Sequence, residues 1–286
     1  MQWRARRERF RAILNGNTCL HPASVFDPLS ARIAEHLGFE FAMMAGSTAS
    51  LTVLGAPDLV LLTASEFVQQ AQRVCRAMSL PLLVDADHGY GNVLNVARTI
   101  EELATVGVAA ATIEDTNLPP TFGSNGKAIL ISIEEGVGKM RAALAARPDP
   151  GFAVIGRTSA PSISNIDDTV KRLAAYEKAG VDALFIVGLK SRADLAAVSA
   201  ATTLPLILGN VSGDLAGADL ATHRVRISLQ GHAPIMAAVQ AIYDTMKALR
   251  DGTKPGELKN AATSALMNTL TRAAVYDEAT RNYLCR

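Results

Sequence analysis

The chain has 286 residues, of which 49% are hydrophobic and 19% charged, enough material for a sizeable core. Its 28 basic and 27 acidic residues nearly cancel, so no overall field attracts nucleic acid or an anionic membrane. No stretch approaches the roughly 20 uninterrupted apolar residues of a membrane span. We therefore expect a soluble protein that acts on a small molecule, folded as one domain over residues 1–286 with a helical tail from about residue 251.

Cysteine usage and the N-terminal segment indicate where the protein works. Cys19, Cys75 and Cys285 are odd in number and widely spaced, which fits neither a disulfide framework nor a zinc cluster and favours a reducing cytoplasm. Residues 1–11 carry five arginines but lack the apolar segment and cleavage site of a secretory signal. We interpret them as a solvated helix leading into the fold, with a transit peptide as the alternative.

A recurring pattern of helix end, glycine and apolar run organises the chain. It occurs at Gly38, Gly107 and Gly180, where the glycine ends a helix and the run that follows lacks the alternation of a half-exposed strand. Eight apolar runs are candidate parallel strands: residues 19–25, 41–45, 80–84, 110–113, 152–155, 183–187, 204–208 and 225–229. They predict a (β/α)8 TIM-type barrel with an extra N-terminal helix and further C-terminal helices. A doubly wound open sheet is the alternative.

Polar residues follow the predicted strands, at the end where barrel enzymes place their chemistry. In chain order these exits carry Ser24, Ser47, Asp85 with Asp87, Glu114 with Asp115, Arg157, Asn210 and His232. Several carboxylates in one confined mouth raise each other's pKa. A divalent cation would supply the missing positive charge.

Asp85, Asp87 and Glu114 are the candidate metal ligands. Asp85 and Asp87 follow the apolar run 80–84, and residues two apart in a strand point to the same side. An all-oxygen set without Cys or paired His suits Mg²⁺, or Mn²⁺, rather than zinc. His88 is a weaker candidate that would only orient a metal-bound water. The alternative is that the acids cap a turn and the helix after it.

Three further side chains are candidates for holding a substrate. Arg157 can grip a carboxylate with two parallel hydrogen bonds, and its alternative is a structural salt bridge to Glu114 or Asp115. Ser47 lies in a Gly-Ser-Thr turn whose N–H groups and hydroxyls could hold a carboxylate or cap the following helix. His232 follows the last strand beside a glycine, and a packed or surface histidine is its alternative.

These motifs together resemble the isocitrate lyase and phosphoenolpyruvate mutase superfamily. The resemblance spans about residues 10–249 and rests on DADHGYG at 85–91, TIED at 112–115, GRT at 156–158 and GAPD at 55–58. The chain is most similar to the oxaloacetate decarboxylase branch in HPASVFDP at 21–28, EEGVGK at 134–139 and QGHA at 230–233.

The resemblance implies a metal-dependent enzyme acting on small α-keto acids. It implies Ser47, Arg157 and His232 as substrate contacts and Asp85 as a direct metal ligand. It also implies a homotetramer, a dimer of dimers, in which the last helix of the barrel is exchanged between subunits.

Two positions depart from the superfamily's patterns. Its lyases carry a Lys-Lys-Cys-Gly-His segment after the strand that ends in Glu114, whereas residues 118–127 here read LPPTFGSNGK. Because cleavage of isocitrate or methylisocitrate needs a placed acid to protonate a carbanion, the missing thiol disfavours a 2-methylisocitrate lyase. Val211 stands where the closest branch is expected to have an aromatic hydroxyl, which bears on the substrate or the rate.

The prediction is therefore Mg²⁺-dependent decarboxylation of oxaloacetate to pyruvate and CO₂. In this hypothesis Arg157 and the Ser47 turn orient the substrate, His232 contacts it near the breaking bond, and the metal together with Arg157 stabilises the pyruvate enolate.

Two other readings stay open. One is hydrolysis or rearrangement of phosphonopyruvate, with Asp58 or residues 116–127, such as Asn125 and Lys127, handling the phosphonate. The other is a keto-acid binding protein that has lost turnover.

Overall fold

The computed structural model describes residues 3–284, and its centre is a sheet of eight parallel strands arranged in chain order. The strands are β1 Ala23–Ser24, β2 Ala42–Ala45, β3 Leu82–Asp85, β4 Ala110–Glu114, β5 Ala153–Thr158, β6 Ala183–Ile186, β7 Leu206–Leu208 and β8 Val225–Ser228. All eight predicted strands are confirmed, although the first is much shorter than the predicted run 19–25.

The segment before β1 closes the sheet into a barrel. Leu20 forms a parallel bridge with Ile227. Its N–H donates to the carbonyl of Arg226 at 2.9 Å, and the N–H of Ser228 donates to the carbonyl of Leu20 at 3.0 Å. These bonds join β8 back to the start of the sheet, so the TIM-type barrel is confirmed over the doubly wound alternative.

Helices follow the strands and surround the sheet. They are α1 Arg4–Leu14, α2 Pro28–His36, α3 Gly46–Ala49, α4 Ala64–Ala77, α5 Val93–Thr105, α6 Ile133–Ala146, α7 Ala160–Ile163, α8 Ile166–Ala179, α9 Arg192–Ala200, α10 Ala233–Arg250, α11 Ser264–Thr271 and α12 Ala273–Tyr283. A π-helical turn, Ser50–Leu54, continues α3, and 3₁₀ turns lie at Gly213–Leu215, Leu220–His223 and Pro255–Glu257. Gly38, Gly107 and Gly180 adopt φ angles of 79°, 100° and 101°, so the predicted left-handed glycines after helices are confirmed.

The predicted N-terminal helix is confirmed, but it is solvated on only one face. Phe10 of α1 is fully buried and packs edge-to-face on Phe41, with ring centroids 5.8 Å apart, so α1 covers the N-terminal end of the barrel. Arg7 is 5% exposed and donates to the carbonyl of Ala104 at 2.6 Å, while Arg6 donates to the carbonyl of Cys75 at 2.8 Å. Arginine suits these places because its apolar stem crosses the core and its guanidinium meets the unpaired carbonyls at the ends of α4 and α5.

The last helices leave the barrel. Of the 18 residues of α10 only Ile235 is buried, and α10 carries an exposed apolar stripe consisting of Met236, Val239, Ile242, Tyr243, Met246 and Leu249. Further along, the chain packs against the barrel again. Arg272 donates to Glu35 of α2 at 2.6 Å, and Leu270 is buried. Within residues 3–284 no helix combines the length and apolarity needed to cross a bilayer.

Candidate active site

A cavity of about 620 Å³ opens at the carboxyl ends of the strands. It is lined by most of the predicted site residues, namely Ser47, Asp58, Asp85, Asp87, Glu114, Arg157, Asn210 and His232. The fold thus brings together eight residues that lie far apart in the sequence. Of the residues predicted for the metal site, His88 alone lies outside the cavity lining.

Arg157 is the central charge of this cavity. Its Nη1 donates to Oδ2 of Asp85, its Nη2 lies 3.4 Å from Oε2 of Glu114, and its Nε is buried without a hydrogen-bond partner in the described structure. Burial lowers the pKa of Arg157, but the carboxylates of Asp85 and Glu114 outweigh this effect and hold the pKa above its ordinary value. Thr112 adds a donor on the other oxygen of Asp85, at 2.7 Å. Arg157 therefore forms ion pairs with both acids, and the pair with Glu114 is one that the salt-bridge alternative predicted.

Asp87 reaches the cavity by a route that strand alternation did not predict. β3 ends at Asp85, and Asp87 has a left-handed backbone with φ of 48°. Its carbonyl accepts from the N–H of Glu114 at 2.8 Å, which fixes the turn. A Cβ on Gly46 would lie 2.5 Å from Oδ2 of Asp87, so this glycine makes room for the carboxylate. The expectation that strand geometry aligns the two acids is therefore wrong, although both line the cavity.

When all three are ionised, Asp85, Asp87 and Glu114 carry more negative charge than Arg157 compensates. Burial, followed by the charges of Asp85 and Glu114, raises the pKa of Asp87 to about 8. Burial also raises the pKa of Glu114, partly opposed by Arg157. Three acids therefore share one arginine, and a further cation would be bound favourably here.

The donor set fits a hard divalent cation. Asp85, Asp87 and Glu114 offer only oxygen atoms, which Mg²⁺ and Mn²⁺ prefer. Within residues 3–284 no three His, Cys, Asp or Glu side chains already stand in metal-ligand geometry. Mg²⁺ does not require such a cage, because it keeps several waters and binds one or two carboxylates. A cation at Asp85 would share that carboxylate with Arg157.

His232 lies on the other side of the mouth. Its Nδ1 is 2.9 Å from Oγ of Ser24, at the end of β1. Burial lowers the pKa of His232, and the charges of Asp85 and Asp58 only partly offset this. Asp58 is half-buried, and burial together with Asp85 raises its pKa. The imidazole is therefore neutral near pH 7.

One part of the cavity wall, next to β6 and β8, is apolar. Its side chains are Phe185, Val187 and Leu229, joined by Ile163 from α7. The guanidinium of Arg157 lies 5.3 Å from the centre of the Phe185 ring, at the border between the acidic and apolar parts. The cavity therefore has an acidic half from β3, β4 and β5 and a more apolar half, which also contains the polar residues Asn210, Gln230 and His232 that follow β7 and β8.

His88 and Val211 do not reach the cavity. The carbonyl of His88 accepts from Nζ of Lys139 at 2.9 Å, and burial lowers the pKa of the ring to about 4. Val211 packs against the hydrophobic core and lines a separate depression beside the barrel mouth. Asn125 and Lys127 are absent from the cavity lining as well.

Asp115 neighbours Glu114 in sequence but faces the helices. Its Oδ2 accepts from the hydroxyl of Tyr176 at 2.7 Å and from Arg172 at 3.1 Å. Tyr176 fits because Gly136 and Gly156, which pack against it, have no side chains. The sequence gives these glycines no distinguishing signal, and the contact depends on how α6 and α8 pack on β5.

This buried group holds both ends of the loop between β4 and α6. Arg172 also donates to the carbonyl of Ile131 at 3.0 Å, and the N–H of Ile131 donates to the carbonyl of Asp115 at 2.9 Å. Between these ends the loop contributes Thr116, Leu118, Pro120 and Ala128 to the cavity lining. The sequence reasoning missed this role of Asp115, Arg172 and Tyr176.

The closed parallel barrel and the acidic cluster at its strand ends define a TIM-type enzyme fold of the phosphoenolpyruvate mutase and isocitrate lyase superfamily. The chain belongs to the phosphoenolpyruvate phosphomutase family, whose model matches residues 10–250. The predicted superfamily is therefore confirmed.

Full-length relatives carry a more specific name. The chain is 55% identical over 285 residues to an oxaloacetate decarboxylase of Rhodopseudomonas palustris (strain BisB18), covering 99% of both proteins. It is 56% identical over 275 residues to the oxaloacetate decarboxylase of Bradyrhizobium diazoefficiens, covering 96% of this chain and 95% of the relative.

Solved structures of similar fold have diverse activities. Oxaloacetate acetylhydrolase in complex with the inhibitor 3,3-difluorooxalacetate superposes with a TM-score of 0.86 at 27% identity, covering 99% of this chain and 98% of the other. Phosphonopyruvate hydrolase in complex with oxalate and Mg²⁺ superposes with a TM-score of 0.85 at 28% identity, covering 98% and 99%.

Proposed function

We propose that this protein decarboxylates oxaloacetate to pyruvate and CO₂ and depends on a divalent cation, Mg²⁺ or alternatively Mn²⁺. The supporting observation is the division of the cavity into an acidic half that suits a cation and an apolar half without one. The full-length similarity to oxaloacetate decarboxylases supports the same reaction.

The acidic half would bind the keto-acid end of the substrate. Asp85 would contact the cation directly, with Asp87 and Glu114 acting through bound waters. When bound, the cation would supply a Lewis acid that stabilises the negative charge developing on the keto oxygen. Arg157 would orient the C1 carboxylate beside it, and Ser47 would offer its hydroxyl and N–H to the same end.

The apolar half would receive the C4 carboxylate that leaves as CO₂. Arg157 is the only Arg or Lys that lines the cavity within the described residues, and His232 is neutral. The guanidinium of Arg157 lies 5.3 Å from the centre of the Phe185 ring and is the one cationic group near this half among those residues. Once Arg157 binds the C1 carboxylate, the second carboxylate has no charged partner of its own. Loss of hydration destabilises this carboxylate. Breaking the C3–C4 bond, which moves the electron pair of that bond toward the cationic end, is therefore favoured.

The atoms balance without an added oxidant or base. The C3–C4 bond breaks, and its electron pair forms the C2–C3 double bond while the keto oxygen takes the charge. CO₂ leaves, and C3 then takes one proton from water to give pyruvate. His232 would contact the substrate near the breaking bond.

Phosphonopyruvate fits this cavity less well. A phosphonate dianion needs strong cationic partners. Lys127 and Asn125, the residues expected to handle it, do not line the cavity, and Asp58 is an acid that would repel it.

A substrate panel tests the proposal. Purified protein with Mg²⁺ is incubated with oxaloacetate, phosphonopyruvate or 2-methylisocitrate while pyruvate, CO₂ and phosphate are measured, each with and without chelator. Because Mg²⁺ alone promotes some oxaloacetate decay, the R157A protein at the same metal concentration serves as the control. Pyruvate and CO₂ above this control support the proposal. Release of phosphate, or tight oxalate binding with no product from any keto acid, contradicts it.

We also propose that the protein assembles as a homotetramer, a dimer of dimers, through the apolar stripe of α10. An 18-residue helix with one buried residue gains stability by covering its six exposed apolar side chains on another subunit.

Cys19 and Cys75 are both free, and this supports a reducing, cytoplasmic location.

A further inference from the structure

Ser24 contacts the one histidine that lines the cavity. Its Oγ lies 2.9 Å from Nδ1 of His232, and both residues line the cavity. They come together because Ser24 ends β1 and His232 follows β8, and these strands meet where the barrel closes. The other ring nitrogen, Nε2, has no hydrogen-bond partner among residues 3–284 and is not buried. It is therefore the nitrogen available to a substrate.

The contact with Ser24 bears on which nitrogen of His232 carries the proton. A neutral imidazole has one N–H donor and one acceptor nitrogen. The hydroxyl of Ser24 has no other hydrogen-bond partner within the described residues, and where it donates to Nδ1 the proton of the ring lies on Nε2. The negative charges of Asp85 and Asp58 act on the same ring, and they favour a proton on the nitrogen that faces the cavity.

We propose that Ser24 is a positioning residue that fixes His232 as the Nε2–H tautomer, so that the histidine donates a hydrogen bond to oxaloacetate and cannot act as a base there. The part that concerns oxaloacetate rests on the proposed function. The hydroxyl acts through His232 and needs no contact with the substrate.

The tautomer selects among three fates of oxaloacetate. Decarboxylation removes no proton before the C3–C4 bond breaks, so a donor histidine is compatible with it. A histidine with a free Nε2 lone pair could remove a proton from C3, which enolises oxaloacetate without cleaving it. It could also activate water for attack on C2. The C2–C3 bond would then break, C3 would take a proton, and oxalate and acetate would form.

The protonated nitrogen can be observed directly. The full-length protein, labelled with ¹⁵N-histidine, has five histidines, and magic-angle-spinning ¹⁵N spectra distinguish protonated from unprotonated ring nitrogens at any assembly size. His232→Gln assigns the signal, and wild type, Ser24→Ala and Ser24→Thr are compared. We expect a protonated Nε2 and an unprotonated, hydrogen-bonded Nδ1 in the wild type and in Ser24→Thr. In Ser24→Ala we expect a mixture of tautomers.

Kinetics separates positioning from general stability. We expect Ser24→Ala to lower kcat about three- to tenfold with little change in KM, the size of one lost hydrogen bond, and Ser24→Thr to restore it. We also expect faster exchange of the C3 protons of oxaloacetate into deuterated water per CO₂ released. A wild type protonated on Nδ1 overturns the proposal, as does a Ser24→Ala protein with unchanged tautomer and kinetics. If the tautomer depends on Ser24 but no CO₂ is released from oxaloacetate, the positioning role stands and the proposed decarboxylation fails.

Discussion

Arg157 on β5 forms an ion pair with Asp85 at the end of β3, and its second Nη atom lies 3.4 Å from Glu114 on the strand between them. One guanidinium thus ties together three consecutive strands at the edge where the cavity opens. Both partners are acids that suit a cation. The contacts that order the barrel mouth must therefore be shared when a cation and a substrate carboxylate bind.

Asp85→Ala is expected to abolish decarboxylation without unfolding the protein. The change removes the proposed direct ligand, but it also relieves repulsion with Asp87 and Glu114, so the cluster is not left with an uncompensated acid. We expect kcat/KM to fall at least about a hundredfold, as for the loss of a central electrostatic group. Pyruvate release and thermal unfolding are measured together. Turnover at the wild-type level would refute Asp85 as a ligand.

Arg157→Lys is expected to lower kcat/KM about a hundredfold even though the charge is kept. A lysine is a single point donor and cannot span Asp85 and Glu114 while leaving a face for a carboxylate. Arg192→Lys is the matched control, because Arg192 is exposed and its side chain contacts Asp214 on the surface, outside the cavity lining. Steady-state assays at saturating Mg²⁺ compare the two. Equal activities of the two variants would show that Arg157 has no role in the site.

The raised pKa of Asp87 predicts how stability depends on pH in the chelator-treated protein. Its pKa is about 8 in the folded chain against an ordinary 3.8, so between these values the folded state binds a proton that the unfolded state lacks. The free energy of unfolding should therefore fall as pH rises toward 8, by at most ~1.4 kcal/mol per pH unit.

Thermal unfolding at pH 6 and pH 8 tests this dependence. Asp87→Asn should flatten it, since the amide does not titrate. Added Mg²⁺ should raise the Tm more at pH 8 than at pH 6, because the cation replaces the proton. Identical pH profiles for the wild type and the Asp87→Asn protein would show that another group is responsible.

Tyr176→Phe is expected to destabilise the fold by about 1–2 kcal/mol, since it removes a donor 2.7 Å from the buried carboxylate of Asp115. Urea unfolding measures this as a shift in midpoint with an unchanged slope. Tyr283→Phe is the control, because Tyr283 is 83% exposed. Trypsin should also cut after the exposed Lys127 faster in the Tyr176→Phe protein, as the loop loses part of its anchorage. Equal stability of both variants would contradict the role of this hydroxyl.

Ile242→Glu is expected to break the assembly into smaller species, because it places a charge in the centre of the apolar stripe of α10. Ala241→Glu is the matched control, since Ala241 is exposed on the other side of the same helix. Light scattering coupled to gel filtration gives the mass of each. If Ile242→Glu leaves the wild-type mass unchanged, the stripe is not the contact.

Much of the fold could be predicted because a parallel barrel repeats one local pattern. Most of the strands lie in largely apolar runs, and glycines such as Gly107 and Gly180 mark where helices stop. The polar residues at the strand exits, such as Glu114 and Arg157, could be placed in one mouth because parallel strands end on the same side.

Contacts between residues distant in sequence could not be predicted in this way. Asp115 directly follows Glu114, the last residue of β4, yet it faces away from the cavity, and its partners Tyr176 and Arg172 are set by the packing of α8. The sequence alone suggests that the arginines of α1 are surface charges. The structure shows that Arg6 and Arg7 contact the carbonyl ends of α4 and α5.

The sequence by itself determined the barrel, its strand order and the residue types gathered at its mouth, because hydrophobic periodicity and glycine positions are local properties of the chain. Only the tertiary structure decided that Asp87 enters through a left-handed turn, that Arg157 binds two acids and that Ser24 meets His232. Those relationships depend on distances between strands, and such distances are fixed by packing and barrel closure rather than by neighbours in the chain.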